Sequence, residues 1–167
     1  MTAAQDPATL DAALRMRLRI EALAADYAHC IDEDRLEDWP GLFTETGSYR
    51  VTTRENVELG LPLSLISCQG RGMLVDRIVA MRTANIFEPH VYCHMVGALK
   101  VLSAQTGEVK TQSNFTVVRT MADGGMSVFA CGRTIDCIVE SGDGLKYKDR
   151  TVVLDSRRID TLLVIPL

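Results

Sequence analysis

A chain of 167 residues, 47% of them hydrophobic, with a formal charge of −4 and a pI near 5.4, has the size of one domain burying roughly 70% of its unfolded surface. The acidic balance excludes nucleic acid as a main partner, and no run approaches the roughly 20 apolar residues of a membrane-spanning helix. Residues 1–6 are polar, with no basic region leading into an apolar run, and the five cysteines form no C-x-x-C pair, so a cytoplasmic protein with reduced thiols is expected.

Asp6-Pro7 reads as a helix start, a cap acceptor followed by proline at the first helical position. Leu10, Leu14 and Leu18 give one stripe; Ile20, Leu23, Tyr27 and Ile31 give a stronger one at i, i+3, i+4. Arg15, Arg17 and Arg19 alternate with apolar residues and read as a solvated face. The helix is expected to end at Asp32-Glu33-Asp34, the acids capping a short second helix with Leu36, Trp39 and Phe43 inward, disturbed by Pro40-Gly41. Tyr49, Val51 and Thr53 then alternate as a half-buried strand. Residues 55–69 read as a long loop. Residues 72–86 return to helical spacing, with Met73, Leu74, Ile78 and Met81 inward and Asp76, Arg77 and Arg82 wet.

After Pro89 the rhythm changes. Residues 91–103, 108–120, 126–139 and 145–154 read as long strands separated by glycine turns. They predict an antiparallel meander, and helices kept to one side of it make an α+β fold.

His90 and His94 would share a metal on a helix. In a strand they sit roughly 13 Å apart along the chain, too far for one ion. The pairs His29-Cys30 and Cys93-His94 are adjacent in sequence, so in a strand they point to opposite faces and serve a cluster badly. Tyr27, Asp32, Asp34 and Tyr49 are the acid–base candidates at the mouth of a helix–sheet container. Arg119, Arg133, Asp136, Arg150 and Asp155 fall in strands, as cross-strand pairs or subunit contacts. The apolar end, residues 160–167, must pack on its own sheet or on a partner. No catalytic, cofactor-binding or metal-ligating residue is assigned in this chain.

The order of Tyr27-x-x-x-Ile31-Asp32, Trp39-Pro40-Gly41-Leu42-Phe43-Thr44-Glu45, the strand at Tyr49, Asp76-Arg77-Ile78, residues 88–94, Asn114-Phe115-Thr116-Val117-Val118-Arg119 and Arg150-Thr151-Val152-Val153-Leu154-Asp155 resembles the small (beta) subunits of Rieske-type aromatic-ring-hydroxylating dioxygenases. The likeness runs over residues 20–167 and leans toward the aromatic-acid types (terephthalate, salicylate, anthranilate). The resemblance implies a cone-shaped α+β fold similar to nuclear transport factor 2, with a curved antiparallel sheet wrapped on N-terminal helices. It implies a structural subunit: a homotrimer of small subunits within an alpha3beta3 hexamer, whose large (alpha) subunit carries the Rieske 2Fe-2S cluster, the mononuclear iron and the substrate pocket. Two departures stand out: Pro40-Gly41 interrupts the turn after the tryptophan, and residues 1–19 read as an added helical extension on a single domain of residues 20–167. The alternative on the same fold is a stand-alone isomerase or cyclase, or a small-ligand-binding cone, because fold alone does not decide function.

Overall fold

The computed structural model describes residues 7–142, 144–158 and 163–167. Helix α1 spans Pro7–Asp32; Asp6, its expected cap, lies outside the described residues. Leu10, Leu14 and Leu18 are 53–57% exposed, whereas from Ile20 onward Leu23, Tyr27, Cys30 and Ile31 are buried, so only the stronger stripe meets the core. Asp34 ends the helical path in a left-handed conformation. A single 3-10 turn, Trp39–Leu42, replaces the expected second helix. Proline at its second position denies the N–H that a longer helix would need. Leu36, Trp39 and Phe43 are nevertheless all fully buried.

Strand β1 is Phe43–Thr53. The stretch read as a loop holds two short elements, helix α2 at Arg54–Glu58 and strand β2 at Ile66–Gln69. Thr53 caps α2 by accepting from the Asn56 N–H. Helix α3 spans Arg71–Thr83 with Leu74, Ile78 and Met81 inward. Met73 is 47% exposed rather than core, and Arg77 is half-buried rather than wet, donating to the Leu163 and Val164 carbonyls at 2.9 and 3.0 Å.

The remaining strands are β3 His90–Val96, β4 Lys100–Gln105, β5 Glu108–Met121, β6 Met126–Ser141 and β7 Gly144–Leu154. The single strand expected over 91–103 is broken in two. Both pieces pair antiparallel with β5 along one line, Val96 opposite Phe115 and Lys100 opposite Gln112. Between them Gly97 still donates to the Asn114 carbonyl at 2.7 Å while Leu99 turns inward. Residues β5, β6 and β7 form the expected meander.

The sheet order is β2-β1-β7-β6-β5-β3, with β4 also on β5. All pairs are antiparallel except β1 with β7, which run parallel, Tyr49 opposite Arg150 and Val51 opposite Val152. Four register shifts, at Phe43/Ser48, Val101/Ser103, Val117/Val118 and Cys137/Ile138, give the sheet its bends. Helix α1 packs on β3 and β7, and α3 on β1 and β2. This is the α+β cone, a curved and unclosed sheet wrapped on helices. Gly132 marks a close approach: a Cβ there would collide with the Val153 carbonyl oxygen on β7.

At the heart of the cone, Trp39 meets Phe43 and Tyr49 edge-on, with ring centroids 5.4 and 5.0 Å apart. Trp39→Ala should cost about 3–5 kcal/mol, the range for emptying a buried large aromatic site. Chemical denaturation checks this, and a variant with the parent's midpoint would contradict the placement. Gly132→Ala should also destabilise, by about 1–3 kcal/mol, because β6 and β7 must separate to admit the methyl group; the same unfolding curve reads it.

Candidate functional site: the polar groups of the helix–sheet interior

The four acid–base candidates do not converge. Tyr27 on α1 and Tyr49 on β1 do come together, but on the chain's own tail. The Tyr27 hydroxyl donates to the Leu167 carbonyl oxygen at 2.7 Å, and the Tyr49 hydroxyl accepts the Leu167 N–H at 2.9 Å. Val164, Ile165 and Leu167 are buried in the core. The apolar end therefore packs on its own fold as far as it is described; residues 159–162 lie outside the described residues. Burial pushes both phenols above their usual range, so they stay protonated donors and acceptors at neutral pH.

Asp34 faces solvent and pairs with Arg82, whose guanidinium also takes Glu37 at 2.8 Å. The same arginine holds the Glu37 carboxyl below its ordinary value, chiefly by their hydrogen bond. Asp32 does not cap the next turn. Its carboxylate accepts the His94 backbone N–H at 2.8 Å and bonds the His94 ring Nδ1 at 2.6 Å, tying the end of α1 to β3. A pair 62 residues apart in sequence leaves no local pattern, and sequence reading missed it. A long α1 and an inward-facing histidine were the only signals, and they are common in any core.

His90 and His94 do lie in one strand on its inward face, alternating with buried Tyr92. His90 Nδ1 lies 2.7 Å from the Glu88 carbonyl, so that nitrogen carries the proton and donates. Each ring thus uses Nδ1 on a different partner, Asp32 for one and Glu88 for the other. Among the described residues no three His, Cys, Asp or Glu side chains converge as a metal set. Cys30 and Cys68 are buried, Cys137 is half-buried, and Cys93 and Cys131 are exposed. Burial pushes the Cys30 and Cys137 thiols up to about 11, the opposite of an activated nucleophile.

The strand charges give one deep pair. Asp136 and Arg150 are direct cross-strand partners and bond at 3.0 Å with side chains 7% and 6% exposed. The Arg150 guanidinium lies 3.9 Å over the Tyr27 ring and 4.7 Å over that of Tyr147. Burial pushes the Asp136 carboxyl up to about 6 against the pull of Arg150, so it is still charged at neutral pH. Arg119 is also buried, over the Phe129 ring at 4.8 Å. Asp155 pairs with Arg54 at the surface.

These groups hold elements together; each candidate proton donor or acceptor is already engaged by main chain or by a neighbouring element. The largest opening against them, about 300 Å³, is lined by Ile31, Asp32, Phe87, His90, Tyr92 and Ile165. Arg150→Met should cost about 3–5 kcal/mol, because it strands Asp136 in the core. The double variant Arg150→Met/Asp136→Leu should recover most of that loss in a urea melt.

The model of the family described as ring hydroxylating beta subunit matches residues 27–161. The chain is 42% identical over 141 residues to the anthranilate 1,2-dioxygenase small subunit of Burkholderia cepacia, across 84% of this chain and 88% of that one. It is 37% identical over 150 residues to the terephthalate 1,2-dioxygenase terminal oxygenase component subunit beta 1 of Comamonas sp, across 90% and 97%. Among solved structures, a beta subunit from Novosphingobium aromaticivorans DSM 12444, assigned to an aromatic-ring-hydroxylating dioxygenase, superposes with a TM-score of 0.86 at 36% identity, across 93% and 99%. A cone whose inward polar groups serve as struts, matched over most of its length in sequence and in shape, belongs to the ring-hydroxylating beta subunit family.

Proposed function

We propose that this chain is the structural small subunit of an aromatic-ring-hydroxylating oxygenase, and that it assembles with a catalytic large subunit in the breakdown of an aromatic acid. Its membership of the beta-subunit family favours this reading over a stand-alone isomerase, cyclase or small-ligand-binding cone. The observation that carries it is the use of Tyr27 and Tyr49. These are the two deepest candidate acids of the cone, and both are bonded to Leu167 of the same chain. A cone built to turn over a substrate keeps such groups for the substrate.

The Rieske cluster and the mononuclear iron then belong to the large subunit. The donor set here fits neither: the histidine Nδ1 atoms are engaged by Asp32 and Glu88, and the five cysteines are spread from α1 to β6. A Rieske centre needs two thiolates and two imidazoles close together. We assign a stoichiometry of three small and three large subunits, a cytoplasmic location, and a helical extension of residues 1–19 on the domain of residues 20–167. No helix among the described residues is long and apolar enough to cross a membrane. The names of the relatives suggest a benzene ring bearing a carboxylate as the substrate of the whole complex.

Turnover of anthranilate or terephthalate should require the large subunit, an electron-transfer partner, reduced nicotinamide and oxygen together, with this chain raising the yield of assembled enzyme. Product analysis with each component left out in turn checks this. If the purified chain alone converts an aromatic or ketone substrate, and Asp32→Asn or Tyr49→Phe abolishes that conversion, the structural reading is wrong.

A further inference from the structure

Two apolar surfaces on this chain have no cover of their own. The first is the connection between α2 and β2. Residues 59–65 read Leu-Gly-Leu-Pro-Leu-Ser-Leu and contain no charge. Leu59, Leu61, Leu63 and Leu65 are 65%, 42%, 59% and 50% exposed. Yet the loop backbone is firmly held. Leu61 donates to the Asn56 carbonyl and Leu65 to the Val51 carbonyl, both at 2.8 Å, and the Leu63 carbonyl accepts from Thr52 Oγ1 at 2.7 Å. Four leucines are thus displayed on an ordered frame. An ordered frame loses little conformational entropy on binding, which lowers the cost of docking.

The second surface is the outer face of the sheet at its other end. The register places Val91, Thr120 and Met126 in one cross-strand row and Cys93, Val118 and Val128 in the next. None of the six carries a charge. Val91, Met126 and Val128 are 60%, 74% and 66% exposed, and Met95 extends the face at 51%. Soluble monomers rarely leave a contiguous apolar face of this kind in water.

We propose that the leucine loop of one copy seats on this outer face of β3, β5 and β6 of a second copy, head to tail, and that repetition closes the three small subunits into a ring. The inference rests on the beta-subunit reading for the number three and adds the surfaces that make the contact. The occupant is a second copy because the two surfaces match in chemistry and sit at opposite ends of one sheet, beside β1 and β2 at one end and across β6, β5 and β3 at the other. A contact between two different patches of the same chain generates rings rather than two-fold dimers. Each patch alone falls short of the roughly 800 Å² a side of a standard interface. A copy in a ring buries both patches.

The test uses the full chain in sedimentation-velocity ultracentrifugation. The parent should sediment as three copies. Leu59→Glu/Leu63→Glu and Val91→Lys/Val128→Lys should each weaken association by about a hundredfold or more, with thermal melts like the parent's because all four side chains face solvent. If either variant unfolds, Leu59→Ser/Leu63→Ser or Val91→Thr/Val128→Thr takes its place. Mixing the loop variant with the face variant should restore association, since the loop of one still fits the face of the other. A loop variant that assembles as the parent does overturns the proposal, as does a mixture that stays monomeric. A monomeric parent whose loop variant loses only uptake by the large subunit also overturns it, and makes that subunit the occupant. Failure of the beta-subunit reading is a separate result: the parent would not co-purify with the large subunit, whatever its own size.

Discussion

One guanidinium holds the cone together. Arg150 sits in β7 with its charge met on one side by Asp136 of β6 and on the other by the ring faces of Tyr27 and Tyr147. Through Tyr27 it touches α1, and the Tyr27 hydroxyl in turn fixes the tail at Leu167. Helix, two sheet strands and tail thus share one buried cation. The geometry is incomplete as an ion pair: Asp136 Oδ1 and Arg150 Nε have no partner among the described residues. A buried pair of this kind adds little net stability over apolar side chains of the same size. What it adds is selectivity, because any arrangement that parts these elements leaves a charge in the core.

The same economy explains the lack of chemistry inside. Groups that could move protons are bonded to carbonyls, backbone N–H groups or each other across elements: Tyr27 and Tyr49 to the tail, Asp32 to His94, Asp136 to Arg150. They act as struts between a helix and a sheet that meet at few other polar points. The groups left free of such duties are on the outside, and they are apolar. The exposed leucines of residues 59–65 and the uncharged rows on β3, β5 and β6 are features of a part made to be covered. Stability is built within, and association is built on the faces. That division suits a subunit whose work is to hold other subunits in register.

Much of this was legible along the chain. Periodicity of 3.6 from Ile20 to Ile31 placed the buried face of α1, because side chains that share a helix face recur locally. Glycine turns placed β5, β6 and β7 to within a few residues, because a tight reversal needs residues that tolerate positive φ; Gly107, Gly124 and Gly144 all adopt it. Where local cues were weak, the reading failed. Residues 66–69 form only a four-residue strand, fixed by pairing with β1. The break at 97–99 depends on Leu99 finding the core. Met73 and Arg77 exchanged their expected places because Arg77 finds two tail carbonyls to bind.

The sequence by itself determined the class of the protein: a single α+β domain, helices first and hairpin strands after, with family motifs in order. Those properties follow from residues near one another along the chain. Only the tertiary structure decided which residues meet. The parallel pairing of β1 with β7, the staple between Asp32 and His94, and the closing of Tyr27 and Tyr49 on Leu167 join residues 62 to 140 positions apart. Such contacts leave no periodic trace, because they are selected by the packing of whole elements rather than by the backbone preferences of their neighbours.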